Sequence, residues 1–159
     1  MEHLRVREAS IDDHPALDSL WIEADLIHHE AWPNVFARPS DSARSREPVK
    51  ATLGDPNQHL IVAEIDDRIA GFVRVTLRDR RPPFVPTRFG IVEEIVVATE
   101  RRGEGIGGRL MAEAEAWARN NGVGEVWLDV WEFNENAIGF YVSLGYETIT
   151  LRMRKNIDL

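Results

Sequence analysis

The stretch ERRGEGIGGRL, residues 100–110, constrains this chain more than any other. It places four glycines and three arginines in eleven residues, directly ahead of a run with helical periodicity. Glycines let successive backbone N–H groups converge on an anion, and the start of a following helix adds the positive end of its dipole. The stretch therefore reads as a phosphate-holding turn. Two such patterns overlap in it: Gly103-x-Gly105-x-x-Gly108 spells a dinucleotide fingerprint, and Arg102-x-x-Gly105-x-Gly107 spells a different loop. A third reading, glycines that only make a tight strand-to-helix turn, needs no ligand.

The elements around the loop predict one mixed α/β domain over residues 1–159. Leu4 and Val6 alternate with Arg5 and Arg7 as a short strand. Ser10-x-x-Asp13 resembles a capping box, and Leu17, Leu20, Trp21, Ala24 and Ile27 follow at helical spacing until Trp32-Pro33. A second helix is expected between Asp41 and Leu53. Leu60–Ile65 and the alternating Val73, Val75 and Leu77 predict a hairpin turning at Asp66-Asp67. The proline-rich RPPFVPT reads as a loop. Ile91–Val97 then forms a strand ahead of the glycine turn. The helix beyond buries Leu110, Met111, Ala114, Trp117 and Ala118 and stops at Gly122. A strand at Glu125–Trp131, a short helix at about Glu135–Leu144, and strands at Tyr146–Thr150 and Arg152–Lys155 complete the expected order.

A net charge of −8 opposes a general nucleic-acid binder, whose footprint is basic. The absence of cysteine removes thiol catalysis, disulfides and Cys-based zinc sites. The charged start and the lack of a long apolar run predict a cytoplasmic protein with no membrane partner. His28 and His29 are adjacent. On a helix they point about 100° apart, so no metal site is expected there.

The dinucleotide pattern requires a strand running almost directly into its first glycine and an acid about twenty residues beyond. Asp129 satisfies the second requirement. The first fails, because Ala98–Arg102 separate Val97 from Gly103, and only 51 residues follow Gly108. A nicotinamide oxidoreductase is disfavoured on that ground.

IVVATERRGEGIGGRLM resembles the signature motif of the GNAT superfamily of acetyl-CoA-dependent N-acetyltransferases, an apolar strand end followed by Arg-x-x-Gly-x-Gly opening a helix. NENAIGFYVSLGYE resembles the closing segment of that family, and together the two motifs cover roughly residues 91–147. The resemblance implies a mixed, largely antiparallel sheet of about six to seven strands flanked by about four helices. It implies acetyl-CoA as co-substrate. The backbone of Ile95, Val96 and Val97 would pair with the pantetheine arm, and Arg102, Gly103, Glu104, Gly105, Ile106, Gly107 and Gly108 would cradle the pyrophosphate. Arg101 and Arg102 would lie near the ribose phosphate or solvent, and Asn134 would contact the coenzyme. Thr99 stands where many members have proline. Dimers are common among them, so a homodimer is compatible with the resemblance.

Acetyl transfer needs a neutral amine, donors for a developing oxyanion and a proton for the departing thiolate. The resemblance makes Tyr141 the proton donor and, with Asn134, a contact to the coenzyme. Glu93 is the first candidate for the base, with Glu94 and Asp129 as alternatives; strict alternation would put Glu93 and Glu94 on opposite faces. His28, Trp32, Phe36 and Phe84 are candidate acceptor-lining residues. The expected partner is an amine acceptor, a small molecule or a protein amine. A non-catalytic acyl-CoA-binding module is the competing reading.

Overall fold

The computed structural model describes residues 3–40 and 44–157. In chain order the elements are β1 (Leu4–Glu8), α1 (His14–Ala31), α2 (Arg46–Gly54), β2 (Gln58–Ile65), β3 (Arg68–Asp79), β4 (Arg88–Val97), α3 (Ile106–Asn120), β5 (Val126–Leu128) and α4 (Glu135–Ser143). Short 3-10 turns occupy Ile11–Asp13 and Thr99–Arg101. The Asp41 end of the expected second helix lies outside the described residues; the helix itself starts at Arg46.

One sheet runs in the order β1-β2-β3-β4-β5, antiparallel throughout except for the parallel β4–β5 pair. Asp66 and Asp67 turn the β2–β3 hairpin with φ of 48° and 60°, the positive values a two-residue type I′ turn requires. Ahead of α1, the Asp13 carboxylate accepts the Ser10 N–H at 2.7 Å, as the capping pattern predicts.

Period-two alternation on β3 decides what covers each face. Phe72 faces a cluster made by Leu17, Leu20 and Trp21 of α1, Val49 of α2, and Leu60, Val62 and Val96 of the sheet. Trp21 meets Phe72 edge-on, with ring centroids 5.2 Å apart. Leu77, on the opposite face, packs with Phe89, Val123 and Ala118 of α3. The α3 stripe is buried as its periodicity predicts, with Ile106, Leu110, Met111, Ala114 and Ala118 all sealed from solvent. Trp117 stays half-buried, stacked on His59.

Among the described residues the sheet has five strands rather than six or seven. Tyr146–Thr150 and Arg152–Lys155, both expected as strands, are irregular. Ile149, Leu151 and Met153 alternate as a strand would, but they are 57%, 82% and 91% exposed. Alternation makes a strand only where a neighbour supplies a ladder and a face to cover. The strand expected over Glu125–Trp131 shrinks to three residues, the length of its pairing with β4. The chain divides into two compact units, Met1–Asp129 with the whole sheet and Val130–Leu159 with α4. Among the described residues no helix is long and apolar enough to cross a membrane.

Candidate active site

β4 carries Glu93, Glu94 and the expected pantetheine-binding residues Ile95, Val96 and Val97. β3 pairs with it from Asp79↔Arg88 to Gly71↔Val97, whereas β5 pairs only with Gly90, Ile91 and Val92. Past Val92 the strands part. Along Glu93–Val97, which includes Ile95, Val96 and Val97, the β5-side edge has no strand partner among the described residues. Asp129 follows β5 directly and is exposed at that divergence.

The divergence coincides with a bulge. Arg74 lies opposite Glu94 and Val75 opposite Val92, so Glu93 is an extra residue in β4. A bulge resets the alternation. This corrects the expectation that Glu93 and Glu94 face apart. Arg78 pairs with Glu93, and Arg74 Nε donates to Glu94 at 3.4 Å; Arg74 and Arg78 share one face of β3. Both carboxylates thus take partners from a single face. α1 covers that face at Glu94, where Trp21 Nε1–H donates at 3.2 Å. Arg44 adds a third donor at 3.5 Å, binds Asp25 at 2.9 Å and stacks over the Trp21 ring at 5.1 Å. Arg44, Arg74, Arg78 and Trp21 were absent from the expected site. The spacing of Arg74 and Arg78 on an alternating strand was the only signal for them.

At the far end of β4, the turn Thr99–Arg101 leads into the glycines. Gly103 and Gly105 adopt φ of 84° and 81°, a left-handed region that costs an L side chain roughly 1–2 kcal/mol. Gly105 is the N-cap of α3, and Ile106, Gly107 and Gly108 form its first turn, which holds no acidic residue. No heavy atom lies within 4 Å of a Cβ built at Gly103, Gly105 or Gly108. The result is an open turn at the positive end of α3. The arginines brace it from within. Arg102 Nε donates to the Val97 carbonyl at 3.2 Å, and Arg101 lies 3.6 Å from Glu104. Thus neither guanidinium depends on solvent or on a ligand for a partner.

The chain brings three of the four acceptor-lining candidates together. After α1 it turns back, with Phe36 N–H donating to the Trp32 carbonyl at 3.0 Å. The Phe36 ring then packs on His28 at 5.0 Å, and its carbonyl meets His29 Nδ1 at 2.8 Å. Phe84 is elsewhere, in the proline loop ahead of the Arg88 end of β4, with the Arg80 guanidinium 5.6 Å from its ring. The pockets lined by Glu8, His59 and Trp117 contain none of the expected site residues. Among the described residues no group of three or more metal-ligating side chains occurs.

In the second unit, Asn134 caps α4, its Oδ1 accepting the Ala137 N–H at 3.2 Å. Tyr141 lies in the last turn of α4. Its ring is 5.2 Å from Phe140 and 6.0 Å from Tyr146, and burial pushes its phenol above the ordinary value.

Comparison with known proteins agrees with this geometry. Residues 21–146 match the acetyltransferase (GNAT) family, and the chain belongs to it. It is therefore an acyltransferase of a family that uses acetyl-CoA. It is 32% identical over 134 residues to the N-alpha-acetyltransferase RimI of Mycobacterium tuberculosis, covering 84% of this chain and 73% of that protein. It is 44% identical over 114 residues to streptothricin acetyltransferase of Streptomyces lavendulae, covering 72% of this chain and 57% of that one. A crystal structure of a mutant BH1408 protein from Bacillus halodurans shares the fold, with a TM-score of 0.87 and 22% identity over 96% of this chain and 99% of that one. Aminoglycoside N-acetyltransferase AAC(6')-Iy, in complex with CoA, shares it with a TM-score of 0.75 and 20% identity, over 99% of this chain and 97% of that one.

Proposed function

We propose that this chain transfers an acetyl group from acetyl-CoA to a primary amine of a small cationic acceptor. One observation carries the reading: beyond the unpaired edge of β4 and one short turn, the glycine loop leads into α3 with open space at Gly103, Gly105 and Gly108. The residues fit the co-substrate, since a loop with open space at Gly103, Gly105 and Gly108, at the positive end of α3, can receive an anion close to its backbone. Arg102 through Gly108 hold the pyrophosphate, and Ile95–Val97 accept the pantetheine amides as an added strand would.

The remaining groups serve the chemistry. An amine of pKa about 10.4 is neutral in roughly one molecule per few thousand at pH 7, so a base raises the reactive fraction. Glu93, set out of register by the bulge, accepts the amine proton, directly or through water. A backbone N–H of the open β4 edge donates to the carbonyl oxygen as charge builds there. As the C–N bond forms and the C–S bond breaks, Tyr141 gives its proton to the thiolate and is reprotonated, through water, by the proton that the new amide nitrogen loses. Glu94 and Asp129 are the alternative bases. The net charge of −8 favours a cationic acceptor; Glu93, Glu94 and Asp25 are matched locally by Arg78, Arg74 and Arg44. The likeness to streptothricin acetyltransferase supports a small molecule, and the likeness to an N-alpha-acetyltransferase supports a peptide α-amine as the second reading.

Acetyl-CoA offered with streptothricin, aminoglycosides and short peptides, with release of the free thiol followed, tests the reading. Amine-dependent turnover is expected with the cationic small molecules. Turnover with peptides alone would move the acceptor to the second reading, and coenzyme binding without transfer would leave only a binding module. Tyr141→Phe should lower kcat roughly 100-fold or more while leaving CoA affinity unchanged; equal rates would remove Tyr141 from the mechanism.

A further inference from the structure

The amide of Thr99 opens the turn that carries the glycine loop. As a first-turn N–H it has no acceptor within its own turn. Glu23 of α1 supplies one from 76 residues away: Glu23 Oε2 accepts both the Thr99 N–H and the Thr99 hydroxyl, each at 3.1 Å. The residue before is fixed on its other side, where the Ala98 N–H donates to the Ala70 carbonyl at 2.9 Å. Two residues earlier on α1, Trp21 reaches Glu94. The same helix therefore grips the open segment of β4 at both ends, Glu94 and Thr99.

We infer that Glu23 is a positioning residue for coenzyme binding, acting through the Thr99 amide to hold the turn from which the pyrophosphate loop departs. The inference rests on the proposed ligand of that loop. It makes a prediction that charge alone does not. Removing a carboxylate near an anion site favours the anion, so a purely electrostatic role for Glu23 predicts tighter binding when it is removed. A positioning role predicts weaker binding.

The structure also supplies a specific rescue. Thr99 is the first residue of its turn, where the fixed φ of proline fits and an N–H has no acceptor within the turn; proline replaces the bond to Glu23 with a ring constraint. Ala98 has ψ 134°, outside the α region that a following proline disfavours. Thr99→Pro therefore sets the turn without needing Glu23.

The test is calorimetric titration of CoA into wild type, Glu23→Ala, Glu23→Gln, Thr99→Pro and the Glu23→Ala/Thr99→Pro double variant, each checked for an intact melting transition. Glu23→Ala should bind roughly tenfold more weakly, the scale of one charge-assisted hydrogen bond. Glu23→Gln, which keeps an acceptor oxygen, should stay near wild type. The double variant should regain most of the loss, and Thr99→Pro alone should match wild type. Unchanged or tighter binding by Glu23→Ala overturns the inference while leaving the loop's ligand in place. A double variant no better than Glu23→Ala overturns it too, because the effect would not pass through the Thr99 amide. Wild type that fails to bind CoA at all would instead remove the proposed ligand, and this inference with it.

Discussion

At the Val97 end of β4 the chain offers backbone: an open strand edge, two left-handed glycines and the first turn of α3. A few residues back, at Glu93 and Glu94, it offers side chains, each carboxylate held by an arginine from β3 and one of them also by α1 and Arg44. The first region depends on φ angles and on open space. The second depends on partners brought from 15 to 73 residues away. A change to either should therefore leave a different signature: lost coenzyme affinity at the loop, lost turnover at the carboxylates.

The largest effect is expected at Gly105. A β-branched residue at φ 81° opposes the loop geometry, while its Cβ would meet open space. Gly105→Val should weaken CoA binding roughly 1,000-fold, the loss of about two charged hydrogen bonds. Titration calorimetry checks it, and unaltered affinity would mean the loop does not hold the phosphate. Next is the pair of glutamates. Glu93→Gln should lower kcat roughly 100-fold with CoA affinity intact, and Glu94→Gln should lower it much less, because Glu94 is occupied by Trp21 and two arginines. The reverse order in steady-state kinetics would exchange their roles.

A smaller effect belongs to the scaffold between the regions. A Cβ at Gly71 would sit 2.7 Å from the Val96 carbonyl oxygen, backbone that cannot yield cheaply. Gly71→Ala should cost about 1–3 kcal/mol of stability, read by denaturant unfolding. The smallest lies beyond both regions, at Asp13, whose carboxyl the Arg7 guanidinium holds below its usual value near 3.8. Because the folded value is the lower one, the contribution is complete above pH 4 and fades as pH falls through the folded value. Melting scans of wild type and Asp13→Asn should therefore differ at pH 7 and converge in acid.

The same contrast explains what was legible in the sequence. Glycines needing positive φ, a strand before them and an apolar stripe after them are local facts, so residues 91–122 read correctly almost residue by residue. Glu93 and Glu94 were visible as candidates, but their faces were not, because a bulge is a property of two strands and leaves no mark on one. Arg44, Glu23 and Trp21 meet the site only after α1 folds over the sheet, and nothing near them in the chain says so. The alternation of Ile149, Leu151 and Met153 misled for the converse reason: the local pattern was right and the neighbour it requires is missing.

The central claim, that the glycine loop holds coenzyme A, is tested most directly by melting the protein with acetyl-CoA, free CoA and NADH in parallel. A ligand at about 100 times its dissociation constant adds about 2.7 kcal/mol, or roughly 5–10 °C for a chain of this length. The account predicts that shift with both coenzyme A species and none with NADH. A shift with NADH alone would contradict it and return the loop to the dinucleotide pattern.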